Sequence, residues 1–145
     1  MADSRDPLIK LVNTFHRSLF NLTKGRIGGR IAGMEAVVLT TTGRNTGEKR
    51  QSMLTAPIVE GDKVVLVASY GGGPKHPQWY LNLTANPTVE ITRKGKTTTM
   101  TARTATPEER AEMWPRVTAA YKGYAGYQEK TDREIPLVVF TPSSR

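Results

Sequence analysis

The sequence predicts an α+β fold: a sheet of about six mainly antiparallel strands curled into a barrel, an N-terminal amphipathic helix, and two to three short helices. Three observations carry that prediction. Short β-branched runs recur after Gly33, several of them joined by glycine-containing turns. Two helical pieces interrupt these runs, one stopped by Pro87 and one opened by a capping box at Thr106. The 145 residues contain no internal repeat or low-complexity linker, so they hold one core.

Residues 1–6 read as a frayed start. In PLIKLVNTFHRSLFNLTKGR, residues 7–26, Leu8, Ile9, Leu11, Val12, Phe15, Leu19, Phe20 and Leu22 recur at helical spacing. Pro7 suits the first turn, and Gly25, Gly28 and Gly29 end the run. Lys10, His16, Arg17, Lys24, Arg26 and Arg30 give it a basic side, so it suits packing on the core or docking on an acidic membrane surface. We divide the chain into residues 1–30, helix and linker, and residues 31–145, the barrel.

From Met34 the period changes. MEAVVLTTT, residues 34–42, is the first strand. Residues 50–59 and 63–69 are the next two, joined by a hairpin at Glu60-Gly61-Asp62. TVEITR and TTTMTART flank a second hairpin at Lys94-Gly95-Lys96, and IPLVVFT is a buried last strand. A helix over residues 76–86 is stopped by Pro87, because proline disfavours helix at the residue before it. Thr106-Pro107-Glu108-Glu109 is a capping box opening another helix, which kinks or restarts at Pro115 and runs to about Tyr121.

Charge narrows the partners. With 21 Lys+Arg against 13 Asp+Glu the net charge is +8, and the mean hydropathy is −0.44. Such a chain favours anions: nucleic acid, an acidic membrane, or a phosphate- or carboxylate-rich small molecule. The absence of cysteine removes disulfides and thiolate metal sites, and two distant histidines, His16 and His76, make a poor metal centre. No metal is expected. No apolar run is long enough to span a bilayer and the N-terminus lacks a signal-peptide pattern, so the expected compartment is the cytoplasm, with peripheral contact at the membrane's inner face through residues 7–24.

Two loops carry the chemistry. TTTGRNTGEKR, residues 40–50, lacks the Walker spacing, but its glycines let backbone amides approach an anion. Arg44 and Arg50 can each grip phosphate or carboxylate with two N–H groups, or the segment is an ordinary basic hairpin. SYGGGPKHPQWYLNL, residues 69–83, has three consecutive glycines that can lie against a flat ring, then Lys75, His76 and a helix start whose free N–H groups attract negative charge. Trp79 and Tyr80 either stack on a ligand or join the core, and His76 suits hydrogen bonding better than metal ligation. YKGYAGYQEK spaces Tyr121, Tyr124 and Tyr127 by three, as a mobile aromatic flap or a satellite packing cluster.

LTTTGRNTGEKR, ASYGGGPKHPQWYLNLTANP, TARTATPEERAEMWP and the YxxYxxY-DRxIPLVVF tail resemble the deazaflavin-dependent nitroreductase and quinone reductase family over residues 34–142. Its members are split β-barrels that use coenzyme F420, an 8-hydroxy-5-deazaflavin with a phosphate and an oligoglutamate tail, and occur mainly in actinobacteria. The resemblance implies that Arg44, Asn45 and Thr46 bind the phosphate side, with one charge lost at Asn45, where members often carry lysine. Arg50, Gln51, Ser52, Met53, Leu54 and Thr55 continue along the cofactor. Val67, Ala68, Ser69 and Tyr70 line the ring, Gln78, Trp79, Tyr80, Leu81 and Asn82 complete the groove, and Tyr124 closes it. Lys75 joins them on charge and location alone.

The chemistry so implied is hydride transfer from the reduced deazaflavin to a quinone-like or nitroaromatic acceptor. Ser69 and Tyr124 are the candidates to polarise or protonate the acceptor, although solvent can replace either. Thr55, Tyr121, Tyr124 and Tyr127 form the acceptor pocket. Members that activate bicyclic nitroimidazoles carry tyrosine where this chain has Thr55, which implies quinone preference here. The competing uses of such a barrel are binding of FMN or heme. A nucleic-acid module is disfavoured, because the aromatics fall in helix and loop segments instead of strands. The assembly is a monomer or homodimer.

Overall fold

In a computed structural model, which describes residues 30–143 apart from residue 32, the β-branched runs pair into one sheet of eight strands. They are Arg30–Ile31 (β1), Met34–Thr42 (β2), Lys49–Ala56 (β3), Ile58–Glu60 (β4), Lys63–Val67 (β5), Thr88–Arg93 (β6), Lys96–Thr104 (β7) and Leu137–Pro142 (β8). The sheet order is β1-β2-β6-β7-β8-β5-β4, with β3 also pairing β2, and every pairing is antiparallel. The sheet curls into a split β-barrel. Three helices accompany it: Gln78–Ala85 (α1), Pro107–Ala120 (α2) and Gly123–Glu129 (α3). The helix expected over residues 7–24 lies outside the described residues.

Turn chemistry explains the hairpins. Lys94 and Gly95 take φ of 51° and 79°, the two positive values that a two-residue turn needs to follow the twist of β6 and β7. Between β4 and β5 only Gly61 is positive, at 60°, which is the second type of tight hairpin turn, with glycine first. The single strand expected over residues 50–59 is two. Pro57 supplies no N–H to a ladder, and the chain changes partner there, β3 pairing with β2 and β4 with β5. The strand expected to reach Ser69 ends at Val67, and a 3-10 turn, Tyr70–Gly72, follows.

Inward residues of alternating strands form the main core: Val37 and Leu39, Val64 and Leu66, Val89 and Ile91, Met100, Val138 and Phe140, closed at one end by Trp79 and Leu83 of α1. The opposite faces of β5 and β8 are buried too. Val65, Val67, Leu137 and Val139 pack against Met113 and Val117 of α2 and Tyr124 of α3. Strands buried on both faces read as continuous apolar runs, as VVLV and LVVF do. Phe140 is fully enclosed, and its truncation to alanine costs about 3–5 kcal/mol.

The capping box forms as its spacing requires. Thr106 Oγ1 accepts from Glu109 N at 3.2 Å, and Glu109 Oε1 accepts from Thr106 N at 2.8 Å. Arg103 adds a two-pronged contact that, with the Thr106 N–H, holds the Glu109 carboxyl down to about 2. Helix α2 does not restart at Pro115 but runs through it. Pro115 and Ala111 are both solvent-exposed, so the carbonyl that loses its N–H partner faces water. Between β2 and β6, Arg93 clamps the buried Glu35 carboxylate at 2.5 and 2.8 Å.

Candidate active site

The first basic loop connects β2 to β3. Gly43 N donates to Glu48 O at 2.7 Å and Gly47 N to Gly43 O at 2.8 Å, which closes the turn tightly. Arg44 leaves this loop for α1. Its backbone N donates to Asn82 Oδ1 at 3.2 Å, its Nη1 to the same oxygen at 2.8 Å, and its Nη2 to Gln78 Oε1 at 2.9 Å. Asn82 is buried and donates in turn to Thr41 at 3.5 Å. Two residues taken from opposite ends of the motif list are therefore one unit. Neutral amides orient the guanidinium and leave its charge without a carboxylate partner among the described residues. Asn45, Thr46 and Arg50 are exposed beside it, with Arg50 reaching Thr46 Oγ1 at 3.4 Å and Glu48 at 3.5 Å.

The second loop, residues 68–76, is built around Arg133, which stands in the DRxIPLVVF tail without a role assigned to it. Arg133 donates from Nε to Gly73 O at 3.0 Å, from Nη1 to Ala68 O at 3.2 Å, and from Nη2 to Ser69 O at 2.7 Å. Its Nη1 also lies 2.9 Å from His76 Nδ1. An arginine only donates, so this nitrogen accepts and the neutral ring carries its proton on Nε2. Burial first, and the charge of Arg133 second, push the His76 pKa down. Gly72 closes the loop on α3. A Cβ there would sit 2.7 Å from Tyr127 O and 2.9 Å from Tyr127 Cα.

The tyrosine triplet is a packed cluster. Tyr121 and Tyr124 meet edge to face with centroids 5.1 Å apart, and Tyr127 lies 6.2 Å from Tyr124. Tyr124 is buried, with its hydroxyl 3.3 Å from Thr55 Oγ1 and donating to Met34 Sδ at 3.7 Å. Burial pushes its phenol up. Tyr124 thus links α3 to β3, while Tyr121 and Tyr127 remain half-buried beside it.

Other expected site residues separate. Side chains of β3 alternate, so Arg50, Ser52 and Leu54 share one face, and Gln51, Met53 and Thr55 the other. Leu54 packs on the main core, Met53 packs with Ala36 and Val38, and Gln51 bonds Thr40 at 3.2 Å. Trp79 is buried in the main core, Val67 in the second cluster, and Ala68 is fully buried. Tyr80 is half-buried, 4.9 Å from His76 and 2.8 Å from Thr104 through its hydroxyl, with Leu81 also half-buried. Ser69 is buried at 8% exposure and its hydroxyl makes no capping bond to the turn that follows. Tyr70 sits at φ 48°, and Lys75 is exposed. No helix among the described residues is long and apolar enough to cross a membrane, and no group of three metal-ligating side chains occurs among them.

Against known proteins, residues 13–142 match the model of the F420H(2)-dependent quinone reductase family. The chain belongs to that family. It is 41% identical over 130 residues to the F420H(2)-dependent quinone reductase Rv1261c of Mycobacterium tuberculosis, covering 87% of each. Among solved structures it is similar to an F420-H2 dependent reductase, FDR-A, at 45% identity and TM-score 0.66, covering 72% of this chain and 92% of that one. It is also similar to a chain described as a domain-swapped dimer, at 38% identity and TM-score 0.69, covering 93% and 99%.

The donor set suits the deazaflavin that these names specify. Residues 43–50 and 69–83 hold Arg44, Lys49, Arg50 and Lys75 against the single carboxylate of Glu48. Beside them, the backbone turns sharply at Gly71 and Gly72, φ 64° and 80°, with nothing within 4 Å of a Cβ built on Gly71. An excess of cations and a glycine turn open at Gly71 suit a ligand with one flat end and one polyanionic end.

Proposed function

We propose that the chain transfers a hydride from reduced coenzyme F420 to a quinone. The observation that carries this is the Arg44 bridge, which ties the first basic loop to α1, the helix that follows the second glycine loop. Arg44, with Arg50 and the exposed Asn45 and Thr46, would hold the phosphate side, and Lys75 would extend the positive field toward the tail. The Ser69–Gly73 turn would support the ring. The bound cofactor supplies the two-electron donor. The protein's own part is to bind, orient and exclude water. Ser69 and Tyr124 would polarise the acceptor oxygen, Ser69 from its hydroxyl beside the turn and Tyr124 through the phenol near Thr55.

Family membership favours the deazaflavin over FMN or heme. A fluorescence titration with F420, and with FMN in parallel, tests this directly. Saturable micromolar or tighter binding of F420 alone, with F420H2 oxidised when a soluble naphthoquinone is added, is the expected result. Binding of FMN alone would overturn it.

Quinones are membrane-borne, and the basic amphipathic pattern of residues 7–24 suits peripheral contact with an anionic bilayer. Sedimentation with anionic liposomes should be lost when residues 1–24 are removed, and equal sedimentation would count against it. The domain-swapped relative makes a homodimer the assembly to look for by size-exclusion chromatography.

A further inference from the structure

We propose that Arg133 is a positioning residue for the deazaflavin, shaping the ring-facing loop from behind. This rests on the functional reading above, and it is anchored in one contact set. The Arg133 guanidinium takes the carbonyls of Ala68, Ser69 and Gly73, on both sides of the Gly71–Gly72 turn, and His76 Nδ1 besides. A trans peptide is planar, with its C=O and N–H pointing opposite ways. Turning Ala68 O onto Arg133 therefore aims the N–H of Ser69 away from it. Gly72 N also bonds Ser69 O, at 2.9 Å, so Arg133 acts on the Ser69 peptide together with the turn itself and on the Ala68 and Gly73 carbonyls from outside it.

The residue is itself held in place. Gln128 Nε2 donates to Arg133 O at 2.8 Å. The same side chain's Oε1 accepts from Arg110 Nη2 at 3.0 Å and from Ile135 N at 2.9 Å. Helices α2 and α3 thus brace the backbone from which Arg133 projects. Its charge also matters. No carboxylate pairs with Arg133 among the described residues: the neighbouring Glu134 turns to Arg110 at 3.8 Å, and Asp132 is exposed. A half-buried cation compensated only by carbonyl dipoles adds positive potential beneath the loop, where a polyanionic ligand benefits.

The two contributions, fork geometry and charge, are separable. Arg133→Lys keeps the charge but cannot span three carbonyls, and Arg133→Met removes both. Two readouts apply to full-length protein. The first is F420 affinity by fluorescence titration. Losing a charge-assisted hydrogen-bond set should weaken binding by about tenfold or more in Arg133→Met, with Kd and the KM for F420H2 rising together. Arg133→Lys should recover part of that loss. The second readout is hydrogen exchange without ligand. The amides of Gly72 and Gly73, bonded to Ser69 O and Tyr70 O at 2.9 and 3.0 Å, should exchange faster in both variants while β5 and β8 stay protected.

Wild-type affinity and unchanged loop exchange in folded variants would overturn the assignment. So would a uniform rise in exchange across the core, which marks general destabilisation. If the wild type fails to bind F420 while loop exchange still rises, the functional reading falls and the shaping role stands. Should neither Arg133 variant fold, His76→Ala removes one acceptor of the set. It should weaken F420 binding about threefold, and an unchanged Kd would count against the proposal.

Discussion

Gly72→Ala tests whether the glycine turn must lie directly on α3. Gly72 takes φ 80°, a region that costs an L-residue about 1–2 kcal/mol, partly offset by about 0.4–1 kcal/mol from the lower chain entropy of unfolded alanine. Strain alone therefore removes about 1 kcal/mol. The added Cβ also meets Tyr127 O at 2.7 Å and Tyr127 Cα at 2.9 Å, whereas ordinary contacts begin at 3.4 Å. Both atoms are backbone, so the turn and α3 must separate by several tenths of an ångström, an overpacking cost of about 1–3 kcal/mol. The total is about 2–4 kcal/mol, or a fall in Tm of roughly 4–16 °C at 2–4 °C per kcal/mol. Gly71→Ala is the internal control. Its φ is 64° with nothing within 4 Å, so it carries the strain without the clash and should lose roughly 2–4 °C. Differential scanning fluorimetry on the three proteins, with F420 titrations on each, decides the matter. A Tm for Gly72→Ala equal to or above that of Gly71→Ala would refute the reasoning, because it would mean the turn does not rest on the helix.

Three further outcomes are expected. Folding favours neutral His76, whose pKa lies below its ordinary 6.5, so its contribution is complete above pH 6.5 and lost as pH falls through the depressed value. Between pH 8 and 5 the F420 Kd should rise on the acid side, and His76→Gln should flatten that rise; an identical slope in the variant argues that another group titrates. Tyr124→Phe removes the 3.3 Å contact with Thr55, and kcat with a naphthoquinone should fall less than about tenfold, since water can supply the proton. A drop of a hundredfold or more would make the phenol the obligatory donor. With Thr55 in place of the tyrosine found in nitroimidazole-activating members, quinones should turn over well and bicyclic nitroimidazoles poorly. Comparable kcat/KM for both defeats that expectation.

What the sequence revealed depended on the range of the interaction. Lys94-Gly95, Gly61-Asp62 and the Thr106–Glu109 cap are set by neighbours within a few residues, and each formed where its spacing placed it. Pro57 misled because the apolar pattern of residues 50–59 runs through it, and only the choice of partner, β2 or β5, separates the two strands. Pro115 does not end α2: it and Ala111, whose carbonyl loses its N–H partner, are both exposed, which local propensity does not register. Trp79 and Tyr80 are adjacent, yet one ring enters the core and the other stands beside His76, a difference made by the packing of α1.

The site divides in the same way. Arg44 was legible as a cation in a glycine loop, but its bond to Asn82, 38 residues away, was not. Arg133 was harder still, because its partners lie 57 to 65 residues away and three of them are backbone carbonyls. Every residue carries a carbonyl, so no side-chain pattern advertises such a contact. Motif reading finds groups that chemistry makes conspicuous, chiefly charges and rings pointing outward at a ligand. Arg133 stands in the DRxIPLVVF tail, yet its role of orienting peptides from behind leaves its signature in the loop it supports. Here that signature is the run of glycines, free to take the conformation that Arg133 and Tyr127 impose. Not all of the +8 charge lies on the surface, because the half-buried Arg133 works from beneath the loop.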